Sequence, residues 1–185
     1  MTFYALPTEA EVGGRAYEVR SDYRAILDAI GVLSDPDYPE EERTLLVLQI
    51  VYPDFDSMPY HDYQEALEWA FWFIGGGSEP MQRKQPKLMD WKQDFPLIVA
   101  PVNRVIGCEV RALEYMHWWT FLSAYYEIGD CLFAQVVSIR KKKAKGKKLD
   151  KSDDAFYREN IDIIDIKTPV TEAEGMLMNE WTRAV

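Results

Sequence analysis

Apolar and polar positions alternate in this chain only near its start; elsewhere apolar residues recur every three or four positions. In EAEVGGRAYEV, residues 9–19, Val12 and Tyr17–Val19 flank Gly13-Gly14. That pair accepts positive φ angles, so the pattern predicts a small two-stranded hairpin. A lone hairpin is marginal in water and must lean on helices. From Ser21 the period becomes helical. Tyr23, Ile26, Leu27 and Ile30 form a stripe, with Ser21 as the expected N-cap. Pro39 followed by Glu40, Glu41 and Glu42 starts a second helix, with Leu45, Leu46, Leu48 and Val51 turned inward.

Pro59 opens PYHDYQEALEWAFWFI, a helix stopped by Gly75-Gly76-Gly77. Its main stripe is Tyr63, Leu67, Ala70 and Ile74, with Trp69, Trp72 and Phe73 on a neighbouring face. The stretch 78–87 reads as a loop. Asp90 caps the next helix, which Pro96 and Pro101 are expected to kink or split. LEYMHWWTFLSAYYEI, residues 113–128, is expected to be helical. One stripe holds Leu113, Met116, His117, Thr120, Phe121, Ala124, Tyr125 and Ile128; a second face holds Tyr115, Trp118, Trp119, Leu122 and Tyr126. Further helices are predicted through Leu132–Ile139 and around Phe156–Ile164. Thr171 and Glu174 form a capping-box pattern before Leu177 and Trp181.

The fold class is therefore mainly α, a multi-helix domain of about six to seven helices with a small N-terminal β-hairpin. The hairpin segment, 1–20, is expected to pack on a helical core domain, 21–168, followed by a short, mobile C-terminal helix, 169–185.

Two helices with surplus aromatic faces change the picture. A helix apolar on most of its circumference is either central or shared with another chain. Tyr115, Trp118, Trp119, Tyr126, Trp69 and Trp72 are the candidate partner-binding residues. For each ring taken singly, burial in the core is at least as good an explanation.

Composition removes most alternatives. The chain has 185 residues, 48% hydrophobic and 14% aromatic, as expected of a folded protein and not of a disordered one. Its net charge is −10, against general affinity for nucleic acid or anionic membranes. Cys108 and Cys131 fit no metal-ligand spacing and read as reduced thiols of a cytosolic protein. No secretory signal and no bilayer-length apolar run is seen.

None of the common catalytic motifs occurs, and the glycine run at 75–77 lacks the lysine of a phosphate-binding loop. His117 reads as a satisfied, semi-buried histidine. No enzyme activity, metal or cofactor is expected. One charge cluster remains: Arg140, Lys141, Lys142, Lys143, Lys145, Lys147 and Lys148. It is read first as a solvated helix end, second as a protein contact and third as a nucleic-acid patch.

Several long stretches also resemble a known family. KLMDWKQDFPLIVAPVNRVIG, YMHWWTFLSAYYEIGDCLFAQVVSIRKKKAKGKKLDK and FYREN are similar to the bacteriophage gene product fifteen family of tailed phages and prophages of Gram-positive bacteria. LPTEAEVGGRAYEVRSDYR and VYPDFDSMPYHDYQEALEWAFWFIGGG extend the likeness over nearly the whole chain, weakest in 78–86 and beyond Asp165.

The resemblance implies a gene placed between those of the major tail protein and the tape measure protein. It implies a tail assembly chaperone that coats the tape measure protein in the host cytoplasm and is absent from the mature virion, with no catalytic residues to transfer. Such chaperones are often made in two forms by a frameshift. A homo-oligomer without membrane contact is expected, because surplus apolar faces pair with copies of themselves. The alternatives are a structural tail component retained in the virion and, last, a nucleic-acid-binding accessory using 140–148.

Overall fold

The computed structural model describes residues 4–78, 86–167 and 169–182. Strands β1 (Glu9–Val12) and β2 (Arg15–Glu18) pair antiparallel, with Ala10 opposite Tyr17 and Val12 opposite Arg15. Gly13 and Gly14 both have positive φ, 56° and 72°, as the tight turn requires. Gly13 is fixed twice more. Its N–H donates to Glu65 Oε2 at 3.0 Å, and a Cβ there would stand 2.4 Å from the Asp62 carboxylate. Ala10, Val12 and Tyr17 turn inward, while Glu9, Glu11 and Glu18 face solvent.

Among the described residues nine α-helices follow, more than the six to seven expected. Helix α1 (Tyr23–Leu33) is capped by Asp22, not Ser21: Asp22 Oδ1 accepts from the Arg24 amide at 3.0 Å. The Ser21 hydroxyl instead meets Tyr115 Oη at 2.8 Å. Helix α2 (Glu40–Val51) begins after Pro39 with the three glutamates in its first turn. It buries Val47, Leu48 and Val51, leaves Leu46 half-buried and exposes Leu45. Leu45 lies about 200° around the helix from Val47, so both cannot face the core.

A 3₁₀ turn at Tyr60–Asp62 precedes α3 (Tyr63–Ile74), which starts later than Pro59. Its buried residues are Ala66, Ala70, Phe73 and Ile74, with Tyr63 and Leu67 half-buried. The inward face is therefore rotated toward Phe73 from the predicted stripe. Helix α4 (Trp91–Ile106) runs unbroken through Pro96 and Pro101. Each proline deletes one rung of the ladder, and the remaining rungs keep the helix whole.

The largest departure lies before α5, which spans only Trp118–Tyr126. Residues 113–117 are not helical because their backbone is used elsewhere. Tyr23 N donates to Met116 O at 2.9 Å and Trp118 N to Ser21 O at 2.7 Å, an antiparallel bridge between Asp22 and His117. Helices α6 (Leu132–Ala144), α7 (Lys151–Glu159) and α8 (Ile161–Ile164) follow, with Asn160 dividing the last two. The C-terminal α9 (Glu172–Trp181) docks, with Leu177 and Trp181 each 1% exposed and Tyr125 Oη donating to Trp181 O at 2.7 Å. Half of the predicted capping box forms: Thr171 Oγ1 accepts from Glu174 N at 3.2 Å.

The hairpin, α1–α6 and α9 share one main core, α6 through Phe133 and Val137. Val136, Ile139 and Ile164 form a smaller one between α6 and α8, while α7 buries no residue.

Candidate functional site

The tryptophans of α5 are first of all structural. The last carbonyls of a helix lack partners within it. Trp118 Nε1 donates to Ile74 O and Trp119 Nε1 to Phe73 O, each at 2.9 Å, so two indoles close the end of α3. Trp118 is fully buried and stacked near-parallel on Phe121, with centroids 5.8 Å apart. It therefore offers no surface to a partner, contrary to its place among the candidate contacts.

Four other candidates are half-buried: Trp69, Trp72, Trp119 and Tyr126. Trp69 lies 5.6 Å from Trp72, and Trp72 meets Trp119 edge-on at 5.2 Å. This chain of rings rests on Phe73, which stacks with Trp69 at 5.2 Å. The glycine run supports it from one side. Gly77 has φ 87°, and a Cβ there would lie 3.0 Å from Trp119. Tyr115, 54% exposed, belongs to the extended stretch before α5.

His117 N-caps α5. Its Nδ1 accepts from the Trp119 amide at 3.0 Å, which forces the proton onto Nε2, and that nitrogen donates to Pro7 O at 2.9 Å. Burial pushes its pKa below the usual 6.5, opposed by the Pro7 carbonyl. A neutral ring with both nitrogens engaged is structural.

The basic run divides. Arg140 is not on the surface: it is 5% exposed and grips the fully buried Asp94 through both carboxylate oxygens, at 2.6 and 2.9 Å. Its remaining N–H groups reach the carbonyls of Ile164, Leu88 and Ile163 at 2.6, 3.0 and 2.7 Å. Lys142 pairs with Asp153, and Lys143 with Asp165 at 2.6 Å, while also lying over the Tyr157 ring. Lys141, Lys145, Lys147 and Lys148 make no ion pair among the described residues. Four unpaired lysines are a weaker phosphate site than seven free cations within nine residues.

Two arrangements were not visible in the sequence. The first is a buried ionic knot, in which Lys87 Nζ lies 3.0 Å from Asp90 and 2.8 Å from Glu174. Burial raises the Glu174 pKa, with Lys87 and Ser34 opposing. The second is an open groove of about 690 Å³. Tyr23, Leu27, Gly31 and Val32 of α1 form its apolar lining together with Phe95 of α4 and Tyr38, and Asp28, Asp35 and Lys92 also border it. The spacing of these α1 positions marks one helix face, but only the seating of α4 beside α1 turns that face into a groove.

Among the described residues no three or more His, Cys, Asp or Glu side chains group to hold a metal, and no helix is long and apolar enough to cross a membrane. No curated protein and no solved structure matches the chain. A family model for the Bacteriophage Gp15 protein matches residues 4–165.

Proposed function

The chain belongs to the bacteriophage Gp15 family, and from that premise we propose that it is a tail assembly chaperone. In this reading it binds the tape measure protein during tail morphogenesis, in the host cytoplasm, and catalyses nothing. The observation that carries the reading is the family match, joined to the half-buried ring chain Trp69–Trp72–Trp119. Aromatic residues that keep part of their area in water are typical of protein-binding surfaces. Weak contacts repeated along a helical client suit a protein that must later be shed. Self-association through the same apolar faces belongs to the proposal.

Co-expression with the tape measure protein of the same phage is the test. A soluble tape measure protein that co-purifies with this chain is expected. An insoluble one, with no co-elution, refutes the reading. Mass spectrometry of purified virions separates the rival role of a retained tail component, in which the chain would be present. The nucleic-acid role loses support from the burial of Arg140 and the pairing of Lys142 and Lys143.

A further inference from the structure

The groove over α1 is not among the surfaces invoked above. Its floor is one helix face at three- and four-residue spacing, and from Tyr23 to Val32 that face runs about 14 Å, two and a half turns of a helix. A channel of that length, apolar in the middle, matches an amphipathic helix laid along it. Gly31 keeps the floor low: a Cβ built there meets nothing within 4 Å.

The rim charges select the occupant. Arg24 is neutralised by Asp22 at 2.8 Å and Arg111 by Glu109 at 2.7 Å. Asp28 and Lys92 make no ion pair among the described residues, and the Asp35 carboxylate accepts the local amide of Asp37 at 2.9 Å, while Arg43 Nη1 reaches the Asp35 backbone carbonyl at 3.5 Å. Of the five charged lining residues, the three outside ion pairs are two acids and one base, so the uncompensated charge of the rim is negative, on a chain of net charge −10. Complementarity therefore asks for basic residues beside the apolar stripe of the guest.

We propose that the α1–α4 groove receives an amphipathic helix of the tape measure protein, its apolar stripe over Leu27, Gly31 and Phe95 and a Lys or Arg beside Asp28 and Asp35. The identity of the guest rests on the chaperone reading; the helix-binding capacity of the groove does not.

The test uses the full chain and two fluorescein-labelled helical peptides with the same leucine stripe, flanked by lysines in one and by glutamates in the other. Fluorescence anisotropy is expected to show saturable binding of the lysine peptide. Gly31→Trp, which fills the floor from an open position, weakens it at least about tenfold. Asp28→Lys with Asp35→Lys reverses the preference between the peptides. Gly31→Ala, too small to block the floor, confirms that the helix tolerates a side chain there by retaining binding.

Absence of saturable binding, or equal binding by Gly31→Trp, overturns the proposal. Should Gly31→Trp fail to fold, the charge-reversed pair decides, and an unchanged preference overturns it. The complex with the tape measure protein then separates the two ideas. A complex that no longer takes up the peptide supports both. A complex that still takes it up overturns the tape measure protein as guest while leaving the chaperone reading intact. Failure to form any complex removes the chaperone reading, and with it the named guest, while the groove's response to Gly31→Trp stands.

Discussion

Replacing Arg140 by methionine tests whether the first residue of a basic run holds the molecule together. Met keeps much of the side chain's volume but removes every N–H. Asp94, fully buried, then loses both guanidinium contacts and stands as a charge without its counter-ion. Removing one partner of a buried pair costs about 3–5 kcal/mol. At about 2–4 °C per kcal/mol for a chain of this size, Tm should fall by about 6–20 °C.

Arg140→Lys should fall between, because an ammonium supplies a point charge and cannot fork across the carboxylate. Asp94→Leu combined with Arg140→Met should recover part of the loss, since two apolar side chains leave no unpaired charge. Recovery stays incomplete because the carbonyls of Leu88, Ile163 and Ile164 still lack their donor. Urea and thermal unfolding followed by circular dichroism provide the measurement. Were Arg140→Met to stay within about 1 kcal/mol of the parent, the range of ordinary surface changes, the structural role assigned to Arg140 would be wrong.

Reversing Lys145, Lys147 and Lys148 to glutamate, by contrast, should change stability by less than about 0.5 kcal/mol each, because these side chains are exposed; a larger loss in the same unfolding assay contradicts this. His117 has its pKa held below 6.5 in the folded chain, so as pH falls through and below 6.5 the unfolded chain takes up a proton the folded one resists. Stability should decline over that window and be insensitive to this group above it. Thermal scans of His117→Asn, which keeps a cap acceptor and does not titrate, should show a flatter profile, and an identical slope would discard the assignment. Gly77→Ala should destabilise by about 1–2 kcal/mol, since φ is 87° and the added carbon presses on Trp119; an unchanged unfolding midpoint speaks against that backbone geometry.

Local chemistry was legible where neighbours in sequence decide the structure. Gly13-Gly14 announced the hairpin, Asp90 capped α4 as read, and the glycine run ended α3. The largest failures share one cause, partners far away along the chain. Residues 113–117 carry a helical pattern, yet their backbone pairs with 21–23, some ninety residues earlier. Arg140 looks like its lysine neighbours until Asp94 and three carbonyls surround it. Trp118 and Trp119 look like equal neighbours on one apolar helix, but the end of α3 takes one ring wholly inside and leaves the other half outside. The groove is a product of helix placement, and of its lining only Tyr23 and Leu27 belonged to the stripe read on α1.

The division of the interior into a large and a small cluster sets how the molecule breathes. Helix α6 is anchored in the large cluster by Phe133 and Val137, but α7 and α8 bring only Ile164 to the small one, against Val136 and Ile139 of α6. Amides of α7 and α8 should therefore exchange with solvent through partial openings before those of α1 or α3. The guanidinium that clasps Asp94 also holds the carbonyls of Ile163 and Ile164, so Arg140 is the polar tie between that outlying unit and the body.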